Sequence, residues 1–180
     1  MESRTFKKTK ALKKSFAYLP LFFLLFTIVI AASCQQQDVT TIILVRHAEK
    51  DSVGGGNPAL SAAGTQRAAR LQATLKEYTP GAFYSTDTKR TKETISPWAK
   101  ATGKEIEIYD PKAQETFANV LKTQTGKTMV VVGHSNTIPA LVNLLAATQE
   151  YKQLPDNEYS KIFIVTISKN GTAGVKVQNY

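Results

Sequence analysis

The sequence predicts an α/β fold, a three-layer α/β/α sandwich with a mostly parallel mixed sheet and a C-terminal β-hairpin. Three observations carry this prediction. Strand and helix patterns alternate along most of the chain, which favours a parallel sheet covered by helices on both faces. Two runs, 39–46 and 128–133, are rich in β-branched and apolar residues, as expected of buried strands. The Asn170-Gly171 pair lies between the last two strand patterns and is typical of a tight hairpin turn.

The first half of the domain alternates strand and helix twice. Strand patterns cover 39–46 and 82–85. A glycine-rich loop follows the first strand, and Ser61 is the predicted N-cap of a helix that ends near residue 78. Asp87 is the predicted N-cap of a second helix that ends near residue 102, with a bend expected at Pro97.

The second half continues the alternation and closes on the hairpin. Pro111 suits the first position of a third helix because a proline has no N–H to leave unpaired there. Asn136 is the predicted N-cap of the fourth helix. The predicted elements of this half are an edge strand at 105–109, helices at 111–122 and 136–148, and strands at 128–133, 161–168 and 173–178.

The N-terminus has the parts of an export signal. Residues 1–15 carry six basic side chains against one acidic side chain, residues 16–32 are almost wholly apolar, and small residues then precede Cys34. These features are typical of a secretory signal peptide. Cys34 directly follows Ala-Ala-Ser, which resembles the lipobox of bacterial lipoproteins and implies lipidation of this cysteine. The alternative is an uncleaved anchor helix with an incidental cysteine.

The predicted organisation is a lipoprotein-type signal peptide over 1–33, a lipidated cysteine and tether over 34–38, and one domain over 39–180. Both interpretations of the N-terminus place that domain outside the cytoplasm, attached to a membrane of the bacterial cell envelope. Cys34 is the only cysteine, so we expect no intramolecular disulfide even in an oxidising compartment.

The charge of the chain does not indicate a nucleic-acid partner. The net charge is +9, but six of the 23 basic residues and one of the 14 acidic residues belong to the leader. Without the leader, 17 basic and 13 acidic residues leave a net charge of only +4. A phosphate-bearing small molecule explains this mild excess as well as any other partner.

Both histidines of the chain follow predicted buried strands. His47 comes directly after Arg46 at the end of the first strand, and His134 comes after Gly133 at the end of the other. The carboxyl ends of parallel strands meet at one crevice, where α/β proteins bind ligands. A neutral imidazole can attack phosphorus while cations hold phosphoryl oxygens, so this pattern favours phosphoryl transfer. The alternatives are a solvated Arg-His pair and a core histidine bonded to a backbone carbonyl.

Two helix starts add anion-binding groups at the same edge. Arg90 lies in the first turn after the strand that ends at Ser85, so a second guanidinium can reach the crevice. Ser135 and Asn136 open the helix after His134, where free N–H groups favour an anion. The alternative for the first helix is a solvated basic face, which fits Lys89 well.

These motifs resemble the histidine phosphatase superfamily, also called phosphoglycerate mutase-like. The resemblance extends over nearly the whole predicted domain and favours the small branch that includes phosphohistidine phosphatases. The motifs that carry it are Arg46-His47, the segment 60–68, the segment 85–94, and Gly133-His134-Ser135-Asn136.

The resemblance implies a role for each site residue. His47 is the nucleophile that becomes phosphohistidine, and Arg46, Arg90 and His134 form the rest of the phosphate pocket. Ser135 and Asn136 are expected to bind phosphate at the helix start. The resemblance implies no metal and no cofactor.

The general acid is the weakest part of the match. Where one branch of the family has an acid directly after the second histidine, this chain has Ser135. In another branch the acid comes just after a strand in the middle of the sequence. Asp110 is the favoured candidate here because it directly follows the strand predicted at 105–109. Glu115 and Glu49 are the alternatives, and each carboxylate also suits a helix start. Without an acid, the expected substrates are those with good leaving groups.

The predicted function is an extracytoplasmic, membrane-anchored phosphatase that hydrolyses phosphomonoesters or other phosphoryl compounds of small molecules or proteins. The alternatives are a phosphohistidine protein phosphatase and a catalytically weak module that binds a phosphorylated ligand. A glycolytic mutase is disfavoured because its substrates are cytoplasmic. A purely structural envelope lipoprotein is disfavoured because it needs no histidines and arginines at strand ends.

Overall fold

The computed structural model describes residues 39–180. The predicted signal peptide, the lipidation of Cys34 and the tether up to residue 38 lie outside the described residues. The described strands are β1 Thr40–Arg46, β2 Ala82–Ser85, β3 Ile106–Ile108, β4 Thr128–Gly133, β5 Lys161–Ile167 and β6 Ala173–Asn179. The described helices are α1 Ala62–Thr74, α2 Lys89–Thr102, α3 Gln114–Thr123 and α4 Thr137–Ala146. None of these four helices has the length and apolar composition that a bilayer crossing requires.

The strands form one sheet in the order β3-β2-β4-β1-β5-β6. The four strands from β3 to β1 run parallel, whereas β5 is antiparallel to β1 and pairs with β6 in the C-terminal hairpin. In the register of β1 and β4, Arg46 lies opposite Gly133. Each residue is followed by a histidine, so the strand ends deliver both imidazoles to one edge of the sheet.

Two apolar cores cover the two faces of the sheet. Successive side chains of a strand point to opposite faces, so Ile42 and Leu44 belong to one core and Ile43 and Val45 to the other. The first core is completed by α3 and α4, and the second by α1 and α2. The prediction of a three-layer α/β/α sandwich with a mixed sheet and a C-terminal hairpin is confirmed.

Side-chain capping of the helices is only partly as predicted. Ser61 caps α1 as expected, because its hydroxyl accepts a hydrogen bond from the Gly64 N–H at 3.2 Å. The prediction that Asp87 caps α2 is wrong. Its carboxylate instead pairs with the Lys92 ammonium at 2.7 Å, and Thr88 occupies the cap position. Asn136 occupies the cap position of α4, but its side chain makes no capping hydrogen bond.

The predicted bounds of three helices need correction. The first, α1, ends at Thr74 rather than near residue 78. The third, α3, begins at Gln114 rather than at Pro111, because Ala113 N–H donates to the Asp110 carbonyl and closes a separate turn. The fourth, α4, ends at Ala146, because the next residue has a left-handed backbone with φ 52°.

Candidate active site

Four of the predicted site residues lie together at the carboxyl ends of β1, β2 and β4. The N–H of His47 donates to the Gly133 carbonyl at 2.9 Å, which continues the β1–β4 ladder by one residue. The rings of His47 and His134 then meet edge to face, with centroids 5.5 Å apart and planes at 67°. Arg46 and Arg90 flank the two rings.

His47 is poised as a neutral nucleophile. It is 5% exposed, and its Nδ1 lies 2.8 Å from the Ala48 carbonyl oxygen. A carbonyl can only accept, so Nδ1 carries the proton and the lone pair of the neutral ring is on Nε2. Burial is the main cause that lowers the pKa of His47 to about 4. The hydrogen bond to the Ala48 carbonyl opposes this shift, and the charges of Arg90 and Arg46 add to it. The ring is therefore unprotonated at neutral pH.

Arg46 is held by a loop from the other half of the chain. Its Nη1 donates to the carbonyl oxygens of Pro155 and Glu158, at 2.8 and 2.9 Å. Its guanidinium lies over the ring of Tyr159, 4.2 Å from the centroid. These contacts fix a side chain that would otherwise rotate freely about its four χ torsions.

Arg90 reaches the site from the first turn of α2. Its Nη2 lies 3.4 Å from Nδ1 of His134. Burial lowers the pKa of Arg90, and the nearby charge of Arg46 lowers it further. The two guanidinium groups are thus close enough to repel each other.

The positive charge at this site is not compensated within residues 39–180. The ion pairs formed there involve neither Arg46 nor Arg90. The Nε atoms of both arginines are buried and have no hydrogen-bond partner among the described residues. Buried donors normally have a partner, so these two indicate an anion as the missing acceptor.

His134 is held between Arg90 on one ring nitrogen and a chain of hydroxyls on the other. Nδ1 faces the donor Arg90 and therefore accepts, which leaves the proton on Nε2. Nε2 lies 3.0 Å from Oγ1 of Thr86, which lies 3.1 Å from Oγ1 of Thr91. Burial, followed by Arg90 and Arg46, lowers the pKa of His134 to about 4. Both imidazoles are therefore neutral at neutral pH.

Close packing holds the loop that follows His47. The Ala48 N–H donates to Thr94 Oγ1 at 3.0 Å, and this hydroxyl donates to the Arg90 carbonyl at 2.7 Å. Gly64 of α1 lies against the Glu49 backbone so tightly that a Cβ there would clash with the carbonyl oxygen. Helices α1 and α2 thereby fix the nucleophile segment from two sides.

The three candidate acids lie in different surroundings. Asp110 follows the edge strand β3, is exposed, and its Oδ1 accepts from the Lys112 N–H at 2.9 Å. Glu115 is exposed in the first turn of α3. The Glu49 carboxylate forms a bidentate pair with Arg67, and this hydrogen bonding lowers its pKa. Within the described range, none of these carboxylates hydrogen-bonds to a site histidine or arginine.

Ser135 and Asn136 lie where predicted, between His134 and α4. The carbonyl of Ser135 accepts from the Leu154 N–H at 2.9 Å, and Asn136 is exposed. A phosphate-binding role for these two residues stays a prediction. In the described part of the chain, no three His, Cys, Asp or Glu side chains lie close enough to hold a metal ion.

Three further residues shape the site and were not predicted as site residues from the sequence, namely Thr86, Thr94 and Tyr159. The two threonines lie inside the segment 85–94 that carried the resemblance, so closer attention to its hydroxyls could have found them. Tyr159 lies 112 residues beyond His47 in a loop with no motif, and only the tertiary fold shows its contacts. Its ring centroid is 6.0 Å from that of His47.

The arrangement suits attack on a bound phosphoryl group. A neutral imidazole presents a lone pair, two uncompensated guanidinium groups favour a dianion, and a second neutral imidazole lies beside the first. Such preorganised cations stabilise the charge on equatorial phosphoryl oxygens, and removal of one such group costs about 10²–10³ in rate.

Comparison with known proteins identifies relatives of this fold. Residues 42–115 match the model of the histidine phosphatase superfamily (branch 1). No curated protein sequence matches the chain.

Solved structures share the fold at low sequence identity. Mycobacterial glucosyl-3-phosphoglycerate phosphatase is 13% identical, with a TM-score of 0.65 over 78% of this chain and 99% of its own. The protein histidine phosphatase SixA complexed with tungstate is 15% identical, with a TM-score of 0.61 over 77% of this chain and 96% of its own. Phosphoserine phosphatase from Entamoeba histolytica is 16% identical, with a TM-score of 0.62 over 78% of this chain and 96% of its own.

The matched residues begin in β1, contain Arg46, His47 and Arg90, and end in the first turn of α3. The likeness to the solved structures extends the agreement in fold beyond the matched residues. Residues 42–115 thus match the histidine phosphatase superfamily in sequence, and the described domain shares its fold with solved phosphatases.

Proposed function

We propose that this protein is a phosphatase that works through a phosphohistidine intermediate on His47 and needs no metal ion. The observation that carries the proposal is the state of His47. Its Nδ1 proton is directed to Ala48, its pKa is lowered to about 4, and Nε2 is left as a neutral nucleophile near two arginines that form no ion pair within residues 39–180.

The proposed reaction has two balanced steps. In the first, the Nε2 lone pair of His47 forms a bond to phosphorus while the bond from phosphorus to the leaving group breaks. Arg46 and Arg90 hold the phosphoryl oxygens in both steps. In the second, water attacks phosphorus, the P–N bond breaks, and inorganic phosphate and neutral His47 are released.

The site best suits substrates with good leaving groups. Within residues 39–180, no carboxylate hydrogen-bonds to the four central residues, so no acid is already held against them to protonate a poor leaving group such as an alkoxide. Acyl phosphates, aryl phosphates and phosphohistidine leave without strong protonation. The fold neighbours named as phosphatases of a protein histidine, a phosphorylated sugar acid and phosphoserine support a phosphorylated small molecule or protein as substrate. We propose Asp110 as the acid for poorer leaving groups.

Hydrolysis of 4-nitrophenyl phosphate by the full chain in detergent, with EDTA present, tests the proposal. We expect turnover that is lost in His47→Ala, and a ³²P label from the substrate that is trapped on the wild type by an alkaline quench, which preserves the P–N bond, and is absent from the variant. His134→Ala is the matched control for loss of an imidazole, since it should lower turnover but leave His47 able to take the label. Absence of turnover and of label in the folded wild type would overturn the proposal.

A module that binds a phosphorylated ligand without turnover is the second candidate. The observation that favours it is again the absence of a bonded carboxylate acid near the four central residues. Such a module would bind orthophosphate with an affinity that Arg90→Gln abolishes, yet would hydrolyse neither acyl nor aryl phosphates.

We also propose that residues 1–33 direct export and that Cys34 carries the lipid that anchors the domain to the outside of a bacterial membrane. The basic start, the apolar run and the Ala-Ala-Ser-Cys sequence support this location. Expression in a bacterial host with radiolabelled palmitate should label the wild type and leave Cys34→Ala unlabelled. A wild type that stays unlabelled and in the cytoplasm would contradict the proposal.

A further inference from the structure

The loop between α4 and β5 forms one wall of the active site. This segment, residues 154–160, is tied to the second histidine by the hydrogen bond from the Leu154 N–H to the Ser135 carbonyl. It then makes a turn in which the Glu158 N–H donates to the Pro155 carbonyl at 3.0 Å. Ser160 closes it, because its N–H and hydroxyl both donate to the Glu158 carboxylate at 2.7 Å. The segment is therefore internally braced.

The segment holds Arg46 without neutralising it. Two carbonyl oxygens accept from one guanidinium nitrogen, and the Tyr159 ring covers a face of the guanidinium at 4.2 Å. A carboxylate in the same place would cancel the charge that a phosphoryl group needs. Carbonyl dipoles and a π face instead orient the cation and leave its formal charge in place.

Tyr159 contacts the site rather than the protein interior. It belongs to neither apolar core, and its two ring contacts within the described residues are with Arg46 and His47. Its ring centroid lies 6.0 Å from that of His47, with planes at 52°. An aromatic ring that belongs to neither core and contacts the cation and the nucleophile is placed to act on the site.

We propose that Tyr159 is a positioning residue that holds the Arg46 guanidinium beside His47 for the phosphoryl group. Its effect on turnover rests on the proposed function, whereas its effect on oxyanion binding does not. Removal of the ring frees Arg46 to adopt other rotamers, so the oxyanion must order that side chain when it binds.

The test is a double-mutant cycle on the full chain in detergent, with orthovanadate binding and 4-nitrophenyl phosphate kcat/KM as readouts. Tyr159→Leu removes the ring, Tyr159→Phe keeps it, and Arg46→Lys removes the planar cation. We expect Tyr159→Leu to weaken vanadate binding about tenfold and to lower kcat/KM about as much, consistent with about 1.4 kcal/mol. Tyr159→Phe should stay within about twofold of the wild type, because the face of the ring is retained.

The cycle separates positioning from simple packing. In the Arg46→Lys background, Tyr159→Leu should cost less than about twofold, since the group it positions is gone. Equal losses in both backgrounds, or no loss with the wild-type arginine, would overturn the proposal. Tyr159→Met serves as a second ring-free variant if Tyr159→Leu does not fold.

The two readouts also distinguish this proposal from the proposed function. A wild type that binds vanadate but hydrolyses nothing would overturn the phosphatase proposal, and the binding cycle would still decide the role of Tyr159. A wild type that neither binds vanadate nor hydrolyses substrate would overturn both.

Discussion

Oγ1 of Thr86 lies 3.0 Å from Nε2 of His134, the ring nitrogen that carries the proton. Nδ1 already faces the donor Arg90, so Nε2 must donate. The Thr86 hydroxyl accepts a hydrogen bond from Nε2–H and donates its own hydrogen bond to Thr91 Oγ1. This buried hydroxyl chain orients the His134 ring beside His47.

Thr86→Val should disrupt the orientation of His134. Valine has the same shape but no acceptor, so Nε2–H loses its partner and the proton is driven toward Nδ1, where it meets Arg90. An unpaired buried donor costs about 1–3 kcal/mol, so we expect kcat/KM on an aryl phosphate to fall about tenfold or more. Thr86→Ser retains the hydroxyl and should keep most of the activity. Equal rates for the two variants would contradict the tautomer assignment.

The two imidazoles should titrate far below the usual range of histidine. Burial is the first cause in each case, and the pKa is lowered to about 4 for both His47 and His134. The nucleophile should therefore remain neutral from neutral pH down to near pH 4, and the attacking form should be lost as pH falls through that value. The chain has only two histidines, so NMR titration of their ring protons checks this directly.

The control for this titration is the unfolded chain. In urea both rings should titrate near 6.5, the ordinary value for histidine. A folded-state midpoint near 6.5 for either ring would show that it is solvated, and would remove the physical basis for a neutral nucleophile there. His47→Asn assigns the two signals.

The strand ends of this site were predictable from the sequence because the signals are local. An apolar run predicts a buried strand, parallel strands end at one edge, and so Arg46, His47 and His134 were expected together. Ser61 was predictable as a cap for the same reason, since a serine before a helix pattern acts on an N–H only three residues away.

The remaining contacts depend on the tertiary fold and leave no local signal. Asp87 was expected to cap α2, but Lys92 lies one turn away and its charge attracts the carboxylate more than the helix N–H groups do. The pairing of Glu49 with Arg67 requires α1 to lie against the nucleophile loop. Tyr159 reaches Arg46 only because β5 pairs antiparallel with β1 and brings its preceding loop to that edge.

Glu49→Gln should lower stability without a large effect on catalysis. Hydrogen bonds from Arg67 are the main cause of the lowered pKa of Glu49. Such a carboxylate stabilises the fold above its unfolded-state pKa, and the contribution is lost as pH falls through the lower folded-state value. Because the pair is partly exposed, we expect a loss of about 1 kcal/mol in the free energy of unfolding at pH 7, measured by urea denaturation.

Asp87→Asn is the matched control for this ion pair. Asp87 and its partner Lys92 are both more exposed than Glu49 and Arg67. The loss in the free energy of unfolding should therefore be below about 0.5 kcal/mol. A hundredfold loss of kcat/KM in Glu49→Gln, with little change in stability, would instead identify Glu49 as the general acid.

Gly133→Ala should destabilise the protein at the end of β4, directly before His134. A Cβ there would lie 2.7 Å from the Tyr109 hydroxyl and 2.9 Å from Thr137 Oγ1. Overpacking of this kind costs about 1–3 kcal/mol, which urea denaturation would detect. Gly81→Ala is the control, because the nearest atom to its Cβ is the Thr128 carbonyl oxygen at 3.7 Å. Equal urea midpoints for the two variants would show that the side chains of Tyr109 and Thr137 move aside for the added Cβ at little cost.

Asp110→Asn should lower turnover in proportion to how much the leaving group needs a proton. General-acid catalysis contributes about 10²–10⁴ in rate, but only where the leaving group is basic. We therefore expect a loss of about a hundredfold on an alkyl phosphate such as glycerol phosphate, and a loss below about threefold on acetyl phosphate. Steady-state kcat/KM on both substrates measures the difference.

Glu115→Gln is the matched control, since this carboxylate is also exposed and lies five residues further along the chain. It should change neither rate, because Glu115 lies in the first turn of α3, whereas Asp110 lies just after the end of a strand. An equal loss on both substrates in Asp110→Asn would indicate a structural role for the turn that its carboxylate caps at Lys112. No loss on the alkyl phosphate would show that leaving groups depart without a proton from Asp110, which would confine the enzyme to acyl phosphates, aryl phosphates and phosphohistidine.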